Sequence, residues 1–250
     1  MDEPDDDRDV EGDDTPEALP AVPVCAVGAS AGGMTALRAL FAALADDLGL
    51  AYVVAVHLAP DRESSLGEIL GAMTTMPVRT VGAEEGLLPD HVYVIPPDRA
   101  LVVSGNAVRA KPFREPRGHR AAVDRLFASL AEAHGHGIGV VLSGTGADGT
   151  AGARALRAAG GVVFAQDPAE AEHAGMPLSV IAAGQADAVA PVAAIAGRIA
   201  GIAASPAMAV LQDEGDGREP MRAILRALHR RLGHDFSHYK PATVMRRVRR

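Results

Sequence analysis

Ser30, His57 and Asp148 are the residues whose types and placement could carry out nucleophilic hydrolysis. Ser30 lies in Gly28-Ala29-Ser30-Ala31-Gly32-Gly33, which satisfies G-x-S-x-G. Between a strand and a helix, that spacing makes a sharp turn with small neighbours. The serine Oγ is left exposed, and the helix N–H groups just beyond it can meet a developing oxyanion. A hydroxyl needs a base to take its proton. His57 ends the next apolar run, and on parallel strands it emerges at the same sheet edge as Ser30. An imidazole with a pKa of about 6.5 suits general base work at neutral pH. The base needs an orienting acid. "GVVLSGTGADGTAG" supplies Asp148, in a glycine-rich loop that follows a strand ending at Leu142. Asp is also a favoured helix N-cap, and one carboxylate is not expected to hold both roles easily. The order Ser, His, Asp differs from the α/β-hydrolase order Ser, Asp, His, which speaks against that fold but not against the chemistry.

The same glycines could instead cradle a phosphate, but two elements of a dinucleotide fingerprint are missing. The second glycine of G-x-G-x-x-G is replaced by Ser30, and the next strand ends at His57 where a ribose-binding acid is required. No Gly-Lys-Ser/Thr follows, so a P-loop fails as well.

These residues must be positioned by alternating strands and helices. "AVPVCAV" and "LAYVVAVHL" are apolar strand runs. Between them Met34, Leu37, Phe41, Leu44 and Leu48 recur at three- and four-residue intervals, the face of an amphipathic helix. This is a βαβ unit. Residues 75–111 break into short β-rich pieces with a hairpin around Ser104-Gly105-Asn106. "AAVDRLFASLAEAHG" is helical and "GIGVVLS" a strand. "TAGARALRAAGG" is a helix with a glycine stop, "VVFAQD" a strand, and "MPLSVIAAG" and "VAAIAGRIAGIA" are helical. The class is α/β: a doubly wound, mostly parallel sheet with a β-hairpin insertion, followed by a short all-α fragment.

Charge divides the chain. Residues 1–20 carry net −9, residues 218–250 net +8, and the body between them net −7. The leader is expected to be a disordered acidic tail. The body, 21–203, forms the catalytic domain, 204–217 a linker, and 218–250 a basic helical segment that reads as cut within a second domain. No stretch has the roughly 20 apolar residues of a membrane span, and the N-terminus does not read as a secretory signal. The single cysteine, Cys25, reads as a small buried hydrophobe and fits a reducing cytosol. No metal or cofactor is expected. His134 and His136 lack a ligand spacing and suit a helix end. The cluster Arg246, Arg247, Arg249 and Arg250 has no interleaved aromatics, so nucleic-acid binding is not expected.

"VGASAGGMTALRALFAAL", "VVAVHLAPDRESSLGEIL", "GLLPDHVYVIPPDRALVV", "HRAAVDRLFASLAEAHG", "VVLSGTGADGTAGARALRAAGG" and "AQDPAEAEHAGMPLSVIAAG" resemble, in that order, the catalytic domain of the chemotaxis methylesterase family CheB, over about residues 22–203. The resemblance implies Ser30 as nucleophile, His57 as base and Asp148 as orienting acid. It implies hydrolysis of glutamate γ-methyl esters on chemoreceptors, with glutamine deamidation in many members. Departures are Ala31 where many members have Thr, Thr145 where many have Met, and Arg120-Ala121-Ala122-Val123-Asp124 for the usual Arg-Pro-Ser-Val-Asp. They bear on rate and substrate preference. The resemblance also makes Arg120 a candidate for substrate contact. Only the acidic leader precedes the first strand, where the family typically carries a phosphoacceptor receiver domain, so phosphorylation gating in cis is not expected.

"LGHDFSHYKPATVMRRVRR" is similar to the opening helices of the receptor methyltransferase family CheR; without the S-adenosylmethionine-binding domain, no methyltransferase activity is expected. The expectation is a cytoplasmic serine esterase acting on methylated chemoreceptors or related transducer proteins, without membrane insertion. Its alternative is a non-catalytic receptor-binding scaffold within a methylesterase–methyltransferase fusion.

Overall fold

The computed structural model describes residues 21–57, 66–116 and 120–205. Seven strands form one parallel sheet: β1 (Val24–Ala29), β2 (Ala51–Val56), β3 (Val78–Thr80), β5 (His91–Val94), β8 (Ile138–Val141), β9 (Val162–Gln166) and β10 (Ala188–Ala190). Their spatial order is β10-β9-β8-β1-β2-β5-β3. Every residue of β1, β2 and β8 is buried, as strands covered on both faces must be. Alternation along β1 assigns the faces. Ala29 points at α1 (Gly33–Ala43), which packs with α2 (Leu66–Gly71) and α6 (Val192–Ala203). Gly28 points at α3 (Ala122–His134), which packs with α4 (Thr150–Ala158). The doubly wound expectation therefore holds, and α5 (Gly175–Ala182) lies against α4 and β9.

The insertion is larger than a hairpin. β6 (Arg99–Ser104) and β7 (Ala107–Pro112) pair antiparallel around Gly105 and Asn106, with Gly105 at φ 55°. β4 (Glu84–Gly86) adds a third strand on β7. Tyr93 of β5 joins this small sheet to the large one: its hydroxyl donates to Gly86 O at 2.7 Å and accepts from Leu88 N at 2.9 Å. β6 also packs on α3, where Ser129 Oγ accepts from Val103 N at 3.0 Å.

The apolar spacing that ran to Leu48 overshoots the first helix. α1 ends at Ala43, and Leu44 turns extended at ψ 138°. Leu44 and Leu48 still pack on the core from the following loop, so the period persisted while the helix did not. The loop is held by Asp90, whose Oδ1 accepts from Gly49 N at 2.7 Å. Two elements had no signal in the sequence: α2, six residues long, and β10, a three-residue edge strand placed by its partner β9. Phe41 of α1 meets Tyr52 of β2 edge-on at 5.8 Å, an aromatic contact worth about 0.5–1.5 kcal/mol beyond area burial. Cys25 is fully buried. The acidic leader, most of the linker and the basic segment 218–250 lie outside the described residues.

Candidate active site

β2, β1 and β8 are adjacent parallel strands, and their C-terminal ends deliver the three chemical groups side by side. The chain leaves β1 through α1 toward β2 and leaves β8 through α4 toward β9 on the opposite side. The crevice between β1 and β8 is thus the switch point where open α/β sheets place their ligand site.

Ser30 follows β1 directly. Gly33 N donates to Ser30 O at 2.8 Å and Gly32 sits at φ 69°, which closes the turn into α1. A Cβ on Gly33 would come within 2.7 Å of the Ala29 Cβ, so the turn is this tight only because that side chain is missing. His57 follows β2, with its backbone N donating to Ala29 O at 3.4 Å. Its Nδ1 is 3.1 Å from Ser30 Oγ, and its Nε2 is 2.8 Å from Asp148 Oδ2. The structure therefore brings all three expected residues into one chain of hydrogen bonds. The neutral ring that serves it carries its proton on Nε2, donated to Asp148, and accepts the serine hydroxyl at Nδ1. The His57 side chain is 33 % exposed and Asp148 9 %, so the imidazole faces the crevice while the carboxylate lies behind it.

Asp148 takes neither the cap of the helix that follows it nor His57 alone. It caps a helix, but α3 rather than the α4 that follows it. Oδ2 accepts from Val123 N at 2.9 Å, and Oδ1 from Asp124 N at 2.8 Å and Gly149 N at 2.9 Å. A carboxylate has about four lone-pair sites, so one oxygen can serve both α3 and His57. These donors fix the carboxylate plane before any substrate arrives.

Ser143, the first residue beyond Leu142, was not singled out by the sequence. It is 1 % exposed and holds the Ser30 turn at several points. Its O accepts from Ser30 N at 2.9 Å, and its Oγ donates to Ala31 O at 2.9 Å and accepts from His173 N at 3.0 Å. Its own N donates to the buried Gln166 Oε1 at 2.8 Å. Next to it, Gly144 O accepts from Met176 N at 2.9 Å. A Cβ on Gly144 would lie 2.1 Å from Met176 Sδ and 2.9 Å from Ser30 Cβ, so glycine lets α5, the loop and Ser30 meet. The Ala31 and Thr145 N–H groups donate to no other described residue. Both belong to segments that flank Ser30.

Arg120 is occupied: it pairs with Asp98, its Nε donates to Glu115 O at 3.4 Å, and its guanidinium lies 4.9 Å from the Phe113 ring centroid. His134 Nε2 donates to Gly105 O at 2.9 Å, tying the end of α3 to the hairpin turn. Among the described residues no group of three His, Cys, Asp or Glu side chains is arranged to hold a metal ion.

Comparison with known proteins adds family to this geometry. The family model described as CheB methylesterase matches residues 25–199. The chain belongs to the CheB methylesterase family. The CheR methyltransferase, all-alpha domain model matches residues 219–250, beyond the described residues. The CheB catalytic domain of Thermotoga maritima superposes with a TM-score of 0.67 at 29 % identity, covering 73 % of this chain and 99 % of that one. A protein-glutamate methylesterase/protein-glutamine glutaminase of Anaeromyxobacter dehalogenans is 42 % identical over 74 % of this chain and 56 % of its own length. One from Rhizobium meliloti is 35 % identical over 76 % of this chain and 54 % of its own. The chain spans about half or less of the length of the curated relatives it matches. CheB membership agrees with the mostly parallel sheet and the small antiparallel one.

Proposed function

We propose that this CheB-family chain hydrolyses glutamate γ-methyl esters on methylated chemoreceptors or related transducers, in chemotaxis-type signalling. The observation that carries the reading is the continuous relay from Ser30 Oγ through His57 Nδ1 and Nε2 to Asp148 Oδ2, at 3.1 and 2.8 Å. As Ser30 Oγ attacks the ester carbonyl, His57 Nδ1 takes its proton, and the imidazolium stays paired with Asp148 through Nε2–H. The oxyanion is held by backbone N–H groups of Ala31 and of Thr145 in the Gly144–Gly149 loop, beside the N-terminus of α1. Methanol leaves with the proton returned from Nδ1. Water, deprotonated by the same nitrogen, then frees the glutamate. A glutamine side-chain amide enters the same route with ammonia as leaving group, and the relatives' names include both activities. No step requires a cofactor.

Methanol release from methylated receptor by the purified chain and by Ser30→Ala tests this. The variant is expected to lose on the order of 10³-fold or more. Equal rates would sink the reading. Failure of a serine-directed phosphonate to label Ser30 would favour a binding scaffold instead.

A further inference from the structure

α3 and α4 exchange caps. The first-turn amides of α3, Val123 N and Asp124 N, donate to Asp148, the residue two positions before α4. In return, Asp124 in the first turn of α3 accepts from Gly152 N of α4 through Oδ1 at 2.8 Å. Neither helix has a side-chain cap at its own N-cap position, Ala121 or Gly149. Each depends on the other's carboxylate for first-turn donors that would otherwise be unpaired.

Missing side chains seat this exchange against the site. A Cβ on Gly152 would meet Asp124 O at 2.6 Å, and one on Gly28 would meet Val123 Cγ1 at 2.2 Å. Beside Asp124 a cavity of about 310 Å³ opens between the helices, lined also by Arg125, Ala151 and Gly152. Burial disfavours the Asp124 charge, as does the neighbouring Asp148, while the Gly152, Gly149 and Ala151 amides favour it. The consequence reaches the reaction because Asp148 Oδ2 receives both Val123 N–H and His57 Nε2. Where α4 begins sets where that oxygen lies, and the oxygen sets the angle of the imidazole toward Ser30.

We propose that Asp124 is a positioning residue for the hydrolytic step, acting through Asp148 on His57. The proposal rests on the esterase reading for its kinetics but not for its spectroscopy. In the purified full chain, Asp124→Ala is expected to lower kcat for methanol release about 10- to 100-fold while KM moves less than about twofold, the scale of a misoriented catalytic group. Asp124→Asn keeps an acceptor for Gly152 N–H and is expected to stay within about threefold of wild type in kcat. In proton NMR the low-field His57 Nε2–H resonance, assigned by its loss in His57→Gln, should shift or broaden in Asp124→Ala and return in Asp124→Asn. Should Asp124→Ala not fold, Asp124→Ser takes its place. Wild-type kcat and an unmoved resonance in Asp124→Ala would overturn the proposal even if the variant melts earlier, because the role would then be stability alone. Equal damage in Asp124→Asn would overturn the capping basis. If wild type releases no methanol, the esterase reading fails, and the resonance still decides the role of Asp124.

Discussion

At the scale of single residues, the site depends on side chains that are missing as much as on those present. Ser30, His57 and Asp148 form the relay, but Gly144 sets the room in which Ser30 stands. Gly144→Ala would press Met176 Sδ on one side and Ser30 Cβ on the other. Met176 is fully buried, so it cannot swing aside without disturbing the core. The substitution is expected to cut kcat/KM on the order of 10²-fold, the cost of misplacing a reacting group by about 1 Å. Near wild-type steady-state kinetics in that variant would show that the loop yields without moving the nucleophile. Ser143 belongs with Gly144: it ties the turn through Ala31 O and Ser30 N, and it reaches Gln166 on β9.

At the scale of elements, three neighbouring strands carry one group each, and two helices stabilise each other's first turns. The exchange has a pH signature. Burial, followed in weight by other influences that include the Asp148 charge, raises the Asp124 pKa above its ordinary value. The folded state then holds its proton to higher pH than the unfolded chain, so Asp124 favours folding most at low pH. That contribution declines as pH rises from about 4, the unfolded value, through the folded one. Wild type should therefore lose stability relative to Asp124→Asn as pH climbs through that window. Urea unfolding of both chains at a series of pH values measures it; a difference constant with pH, or one growing in the opposite direction, refutes the assignment.

At the scale of the whole molecule, the described residues between 21 and 205 hold the sheet, both helical layers and the contacts that join Ser30, His57 and Asp148. The catalytic domain of the Thermotoga maritima relative aligns over 99 % of its length with part of this chain. Residues 21–205 alone are expected to unfold in a single transition and to keep kcat/KM within about threefold of the full chain, under 1 kcal/mol of transition-state stabilisation. A larger loss would mean that the acidic leader or the basic segment contributes to catalysis. No helix among the described residues is long and apolar enough to cross a membrane. The sequence by itself determined the βαβ order and the parallel sheet and pointed to Ser30, His57 and Asp148, which the structure brings within hydrogen-bond distance, because hydrophobic period and turn chemistry are local and strand ends in a parallel sheet share an edge. It overran α1 to Leu48, since apolar spacing continues into a loop that packs on the same core. It passed over Ser143, α2 and β10, which draw their roles from partners distant in the chain. Only the tertiary structure decided that Asp148 caps α3 while its Oδ2 meets His57 Nε2, and that Asp124 returns the cap to α4. Those bonds join residues about 25 positions apart, across two helices whose approach no local pattern encodes.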